Sequence, residues 1–242
     1  IKIVKNIGIP MNIDNATSHL QNSSLLKLMR LTSPSLPIGG YSYSQGLEFA
    51  ISTEWVHDAT TASDWIQGLL KSSLLNLDVP VLKNLYKAWQ EPEMDRVSYW
   101  NKILSANRDA FELQEEDRQL GKALARLLDS LGLDEAKSFL SPPYSGFLTL
   151  YALAAVKWDI SLSDAASGFL WMWAENKVLC AMKLIPLGQT DGQKILSAVI
   201  ETISDVVTEG LNLPDEAIGY TVPGQGIASA LHETQYTRLF RS

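Results

Sequence analysis

The sequence predicts an all-α fold, a single-domain helical bundle of roughly ten helices. Three observations predict it. Apolar residues recur at three- and four-residue spacing through most of the chain. No segment sustains period-two alternation between turn residues, so strands are not expected. The chain has 242 residues, 46% hydrophobic and 19% charged, with no long Gly/Ser/Pro linker, low-complexity tract or fixed-period repeat to divide it. A chain of this size suits one core burying roughly 70–75% of its unfolded surface. Helices that pack apolar stripes against one another then give a bundle.

The elements follow in order. Ser24 caps a short helix, Leu25 to Leu31, ahead of Pro34. Between Ser33 and Gly46 lie two prolines and three glycines, which exclude a plain helix and predict a shaped loop displaying Tyr41 and Tyr43. Gly46 to Ser52 is a second helix. Thr61 or Ser63 caps a third, on which Trp65, Ile66, Leu69, Leu70, Leu74 and Leu77 share a face. The stripe resumes after Pro80 with Val81, Leu82, Leu85, Tyr86 and Trp89, and Pro92 breaks it. A long helix is expected from about Ser98 to Leu131, with an interruption near Asn107 and Gly132 as its C-cap. Its apolar face carries Leu120, Leu124, Leu127, Leu128 and Leu131, with Glu112, Glu115, Glu116 and Asp117 facing elsewhere.

Ser141 to Gly146 is a loop. Phe147 to Lys157 is apolar all round and reads as a central helix. Ser161 or Ser163 starts the next, running to about Leu184, and Gln189 to Gly192 opens another bearing Leu196, Val199, Ile203 and Val206 on one face. A last short helix is expected near Ile227 to Tyr236. At the other end the chain opens on Ile1, whereas Met11 would make an ordinary beginning. Residues 1–10 are therefore expected to be non-native or an over-extended reading frame. Residues 1–22 are expected to be a flexible N-terminal segment ahead of one domain at 23–242.

Composition excludes several classes. Net charge is −7 and no Lys/Arg cluster forms a basic face, which argues against nucleic-acid binding. Cys180 is alone, so no disulfide framework exists within the chain, and a reducing, cytoplasmic setting is expected. The most apolar run, Phe169 to Ile185, is interrupted by Glu175, Lys177 and Lys183, whereas a membrane span wants roughly 20 apolar residues. It reads as a buried helix, and no secretory signal is expected.

The chemistry-bearing residues form no recognisable set. His19, His57 and His232 are far apart, with no partner at metal-ligand spacing, and read as surface or capping residues. Cys180 reads as a small buried hydrophobe. Gly40-Tyr41-Ser42-Tyr43-Ser44 lacks the second glycine of a nucleophile elbow, and no strand precedes it. Ile38-Gly39-Gly40 is not followed by the Gly-Lys of a P-loop. Glu112, Glu115 and Glu116 read as a solvated charged face. Residue chemistry alone gives an all-α interaction or regulatory protein of unknown partner. A hydrolase using Ser42 or Ser44 and a DNA-binding regulator are the remaining alternatives.

Three stretches take the reading further. They are Ser33 to Glu48, Lys183 to Gln193 (Lys-Leu-Ile-Pro-Leu-Gly-Gln-Thr-Asp-Gly-Gln), and His232 to Ser242 (His-Glu-Thr-Gln-Tyr-Thr-Arg-Leu-Phe-Arg-Ser). Their order and separations resemble the urease accessory protein F (UreF) family, as does the segment around Arg118, Gly121 and Leu124. Leu231, where the family pattern has arginine, and Tyr144-Ser145-Gly146 depart from it.

The resemblance implies an all-α, non-enzymatic nickel-delivery chaperone that forms a homodimer. It implies binding to urease accessory protein D (called H in some organisms), to the urease accessory GTPase G, and to apo-urease. Nickel and GTP would then act through the partner proteins, with no cofactor bound stably by this chain. The partner-facing candidates are Tyr41, Tyr43, Gln45 and Glu48 of the first stretch, and Lys183 and Gln189 of the second. His232, Glu233, Tyr236, Arg238, Leu239, Phe240 and Arg241 come from the third. Tyrosine suits an interface because it offers apolar area and a hydroxyl at low entropy cost. Large apolar residues near a chain end are expected to order on a partner rather than on their own chain.

Overall fold

In a computed structural model, residues 23–91, 93–141, 146–219 and 222–242 are described. The expected N-terminal segment 1–22 and most of the loop at 142–145 lie outside them. The described residues form ten α-helices and no strand. These are α1 (23–31), α2 (Leu47–Ser52), α3 (Ala59–Leu69), α4 (Val79–Gln90), α5 (Met94–Ala106), α6 (Phe111–Ser130), α7 (Phe147–Lys157), α8 (Leu162–Leu184), α9 (Gln189–Asn212) and α10 (Pro223–His232). No helix among them is long and apolar enough to cross a membrane.

The centre is α7. Every residue from Phe147 to Ala155 is buried, which is why its sequence is apolar all round. Helices α4 and α6 pack on it, and α9 packs along α8. Buried polar groups on these helices find partners. Trp89 Nε1 donates to the Thr149 carbonyl at 3.0 Å, and the Tyr151 hydroxyl donates to the Ala165 carbonyl at 2.8 Å. Asp117 accepts the Phe147 amide at 2.9 Å, placing a carboxylate at the positive end of α7.

The long helix expected from Ser98 to Leu131 is two helices, α5 and α6, broken at residues 107–110. The interruption near Asn107 is thus complete. Gly132 caps α6 as expected, with φ +85° and the Leu133 amide bonded to the Leu128 carbonyl. Neither Thr61 nor Ser63 is the N-cap of α3. Asp58 is, accepting the Thr61 amide at 2.8 Å, while Thr61 Oγ1 answers the Asp58 amide in a capping box. Ser161 does cap α8, accepting the Asp164 amide. The last helix starts earlier than expected, with Pro223 in its first turn, and ends at His232.

Between α3 and α4 the helix does not stop. Leu70–Asp78 is π-helical, and the Val79 amide reaches back five residues to the Leu74 carbonyl. Pro80 follows without a break, because it only removes a donor to the Asn76 carbonyl. That carbonyl instead accepts the Gly219 amide at 3.2 Å. Lys83 Nζ donates to the Leu213 carbonyl and Asn84 Nδ2 to Asp215, so residues 213–219 are strapped across α4.

Candidate functional site

The Pro/Gly loop folds into a tight turn, Gly40–Ser42, preceded by Gly39. It divides its two tyrosines. Tyr41 points outward, 61% exposed, and Tyr43 is buried. The Tyr43 carbonyl is a hub on α8. It accepts from Lys177 Nζ at 3.1 Å and Asn176 Nδ2 at 3.2 Å, with Cys180 Sγ at 3.8 Å. Lys177 is a buried ammonium, also 5.7 Å above the Trp173 ring. Burial lowers its pKa, and Glu116 opposes that shift.

Gln45 takes a left-handed φ of 57°, a conformation a non-glycine residue holds only when its surroundings fix it. Its amide side chain supplies the reason, donating to Glu116 Oε1 at 2.9 Å and accepting from Trp173 Nε1 at 2.7 Å. Gly46 follows at φ +79°, where a Cβ would lie 2.9 Å from the Ser229 amide nitrogen and 3.0 Å from Ala228 Cβ. Only glycine lets α10 come this close to α2.

His232, at the end of α10, is fully buried between two carboxylates. Nδ1 is 2.9 Å from Glu112 Oε2, and Nε2 is 3.2 Å from Glu48 Oε2. Glu48 also grips the C-terminal segment, accepting the Leu239 amide at 2.7 Å and the Phe240 amide at 2.8 Å. The Phe240 ring is buried with Lys183 Nζ 5.5 Å from its centroid. The Arg241 amide donates to the Ser42 carbonyl. Ser242 ends the run, fully buried. Its carbonyl oxygen accepts the Ser44 and Gln45 amides and Ser44 Oγ, and its hydroxyl donates to Glu116 Oε2 at 2.7 Å.

Four sequence expectations change here, the first being that Tyr43 is buried rather than displayed. Glu112 and Glu116 are not on a solvated face; both are buried, one turn apart, facing α2, α10 and the C-terminal segment. Glu115 is half-buried and pairs with Arg118 and Gln119 along α6. His232 is no surface histidine. The C-terminal segment orders on its own chain, because backbone amides and a phenyl ring find a carboxylate and an apolar seat ready on α2 and α8. Cys180 is buried as expected, and burial pushes its thiol pKa up.

Not all candidates join the network. Gln189, Tyr236 and Leu239 expose their side chains, as do Arg238 and Arg241. The two arginines line a groove of about 500 Å³ together with Phe111, Glu112, Glu115, Glu116, Gln119 and Glu233. Behind the network lies a cavity of about 140 Å³, lined in part by Asp78, Arg108, Glu116, Asp117 and Lys177. Arg108 holds Asp78 through both terminal guanidinium nitrogens. Burial works against that guanidinium, but Asp78 and Asp117 outweigh it and raise its pKa. Burial raises Glu116 and Asp117.

Sequence reasoning missed the buried pair of α6 and the Asp78–Arg108 link. The i, i+4 spacing of Glu112 and Glu116 was the available signal for the first. Among the described residues no group of three or more His, Cys, Asp or Glu side chains is arranged to hold a metal. Ser44 Oγ is engaged by Ser242, and both His232 nitrogens by carboxylates.

The fold and this network define a class: an all-α protein whose buried charges fasten a shaped loop to the far end of the chain. Comparison with known proteins supplies the family. The UreF family model matches residues 56–200. The urease accessory protein UreF of Alkalilimnicola ehrlichii is 49% identical over 216 residues, covering 89% of this chain and 95% of its own. Those of Teredinibacter turnerae and Hahella chejuensis are 47% and 44% identical, covering 91% and 90% of this chain and 100% and 98% of theirs. The chain belongs to the UreF family of urease accessory proteins.

Proposed function

We propose that this chain is a non-catalytic scaffold for urease maturation. In this reading it works as a homodimer in the cytoplasm and binds urease accessory protein D/H. That complex recruits the accessory GTPase G and meets apo-urease, while nickel and GTP are handled by the partners. The observation that carries the reading is the convergence of three separated stretches on one end of the bundle. Ser44, Gln45 and Glu48 meet His232 and residues 239–242, and Lys183 covers Phe240. The buried members shape that end. Tyr41, Phe111, Tyr236 and Leu239 are exposed, as are Arg238 and Arg241. Exposed aromatics beside arginine are the usual make-up of a protein-binding surface.

The test is urease activity at limiting nickel in cells carrying the urease structural and accessory genes, with and without this chain. Activity should collapse without it and return with it. A Tyr236→Ala, Leu239→Ala double variant removes exposed side chains only. It should fold normally yet lose co-purification with accessory protein D/H. Unchanged activity in the absence of the chain would return it to an interaction protein of another partner.

A further inference from the structure

We infer that residues 233–242 form a pH-responsive strap, fastened while His232 carries both ring protons and released on the alkaline side as one is lost. The geometry points to this independently of any partner. Both ring nitrogens face carboxylate oxygens, at 2.9 and 3.2 Å. An ionised carboxylate only accepts, so with both glutamates ionised both nitrogens donate and the fastened ring is an imidazolium. The neutral ring has one donor and would turn a lone pair towards the other carboxylate.

His232 reaches the strap through Glu48. One Glu48 oxygen is shared between the imidazole and the Phe240 amide, and the other holds the Leu239 amide. The charges facing this centre come from each neighbouring element: Glu48 from α2, and Glu112 from α6 with Glu116 one turn on. Lys177 and Lys183 of α8 lie behind, and Glu233, Arg238 and Arg241 lie further out on the strap. Around the ring itself the carboxylates outnumber the cation, so loss of its charge takes from Glu48 and Glu112 the cation they share.

The sign follows. Burial opposes the charge on His232, but hydrogen bonds and charge from Glu112 and Glu48 outweigh it and raise its pKa above the ordinary 6.5. A raised folded value means the contribution is complete below the unfolded value and disappears as pH rises through the folded one. Alkaline conditions therefore loosen the strap, while α7 contains no histidine.

Hydrogen–deuterium exchange on the full chain tests this, with labelling times scaled for the base-catalysed rise in intrinsic rate. Between about pH 6 and pH 9, peptides containing Leu239 and Phe240 should lose roughly tenfold or more of their protection, while α7 peptides keep theirs. Glu112→Gln removes a charge from the ring and keeps the backbone amide that Glu112 donates to Glu233 Oε1 of the strap. It should shift the release midpoint roughly one pH unit lower. His232→Gln should leave the strap weakly protected at every pH. Constant protection of the wild-type strap over this range overturns the inference, and so does a Glu112→Gln midpoint that does not move. The wild-type titration decides alone if a variant fails to fold.

Discussion

At the scale of single residues, Glu48 concentrates the most interactions. Its carboxylate takes two backbone amides and one imidazole nitrogen while 6% exposed. Hydrogen bonds to a buried charge contribute about 1.5–3 kcal/mol each, and stranding the partner of a buried pair costs about 3–5 kcal/mol. Strap residues left without Glu48 are free to move into water, which recovers part of that. Glu48→Gln, which keeps the volume, should therefore lower unfolding free energy by about 2–3 kcal/mol in a urea titration. Glu209→Gln, exposed on α9, should stay within about 0.5 kcal/mol of wild type. Equal midpoints for the two variants would refute the central place given to Glu48. The sequence offered Glu48 and His232 as notable residues without showing that they touch. They are 184 positions apart, and Glu112 lies 120 from His232. Residue spacing reports neighbours along a helix, and these partners meet only through tertiary packing.

At the scale of elements, the legible features were those set by local physics. The bounds of α7 followed from an unbroken apolar run, and the cap of α8 from Ser161. The Gly132 cap and an interruption near Asn107 were readable for the same reason, though not that the interruption separates two helices. The π-helical turn at Leu70–Asp78 was not, because Leu69, Leu70, Leu74 and Leu77 fit an α-helical stripe as well as a wider one. Its consequence is phase. α3 buries Ala62, Ile66 and Leu69 on one side, and α4 buries Leu82, Leu85 and Trp89 on the other side of the wide turn. Removing one residue and restoring α geometry rotates one half by about 100° against the other. Deleting Lys71, which is exposed, should therefore damage the core although no buried side chain is lost. Asp78 would swing away from Arg108, and a broken buried pair alone costs about 3 kcal/mol or more. Denaturant unfolding of the deletion variant measures this. A change below about 1 kcal/mol would mean that the wide turn absorbs a lost residue and holds no phase.

At the scale of the whole molecule, two kinds of cohesion are separated in space. The centre around α4, α7, α8 and α9 is apolar, with Leu82, Leu85, Leu150, Tyr151, Leu170 and Val199 all buried. The end built from α2, α10 and residues 239–242 is held chiefly by directed polar contacts among Ser44, Gln45, Glu48, Glu112, Glu116, His232 and Ser242. Apolar burial is indifferent to the fate of a distant polar clamp, so the two regions should respond differently to the same cut. Removing residues 238–242 takes no helix away, since α10 ends at His232. It withdraws the acceptor from the Ser44 and Gln45 amides, two amide donors from Glu48 and the Ser242 hydroxyl from Glu116, with water replacing part of each, and it takes the buried Phe240 ring out of its apolar seat. The expected loss is about 3–5 kcal/mol with the Phe240 ring included, with the far-ultraviolet helical signal nearly unchanged. Limited proteolysis should then cut first in α2 and α10 and leave a fragment containing α4 to α9 resistant. Collapse of the whole helical signal would show that the strap organises the apolar centre. Resistance of α2 and α10 equal to that of the intact chain would show that Gly46 and the close α2–α10 packing hold that end without it.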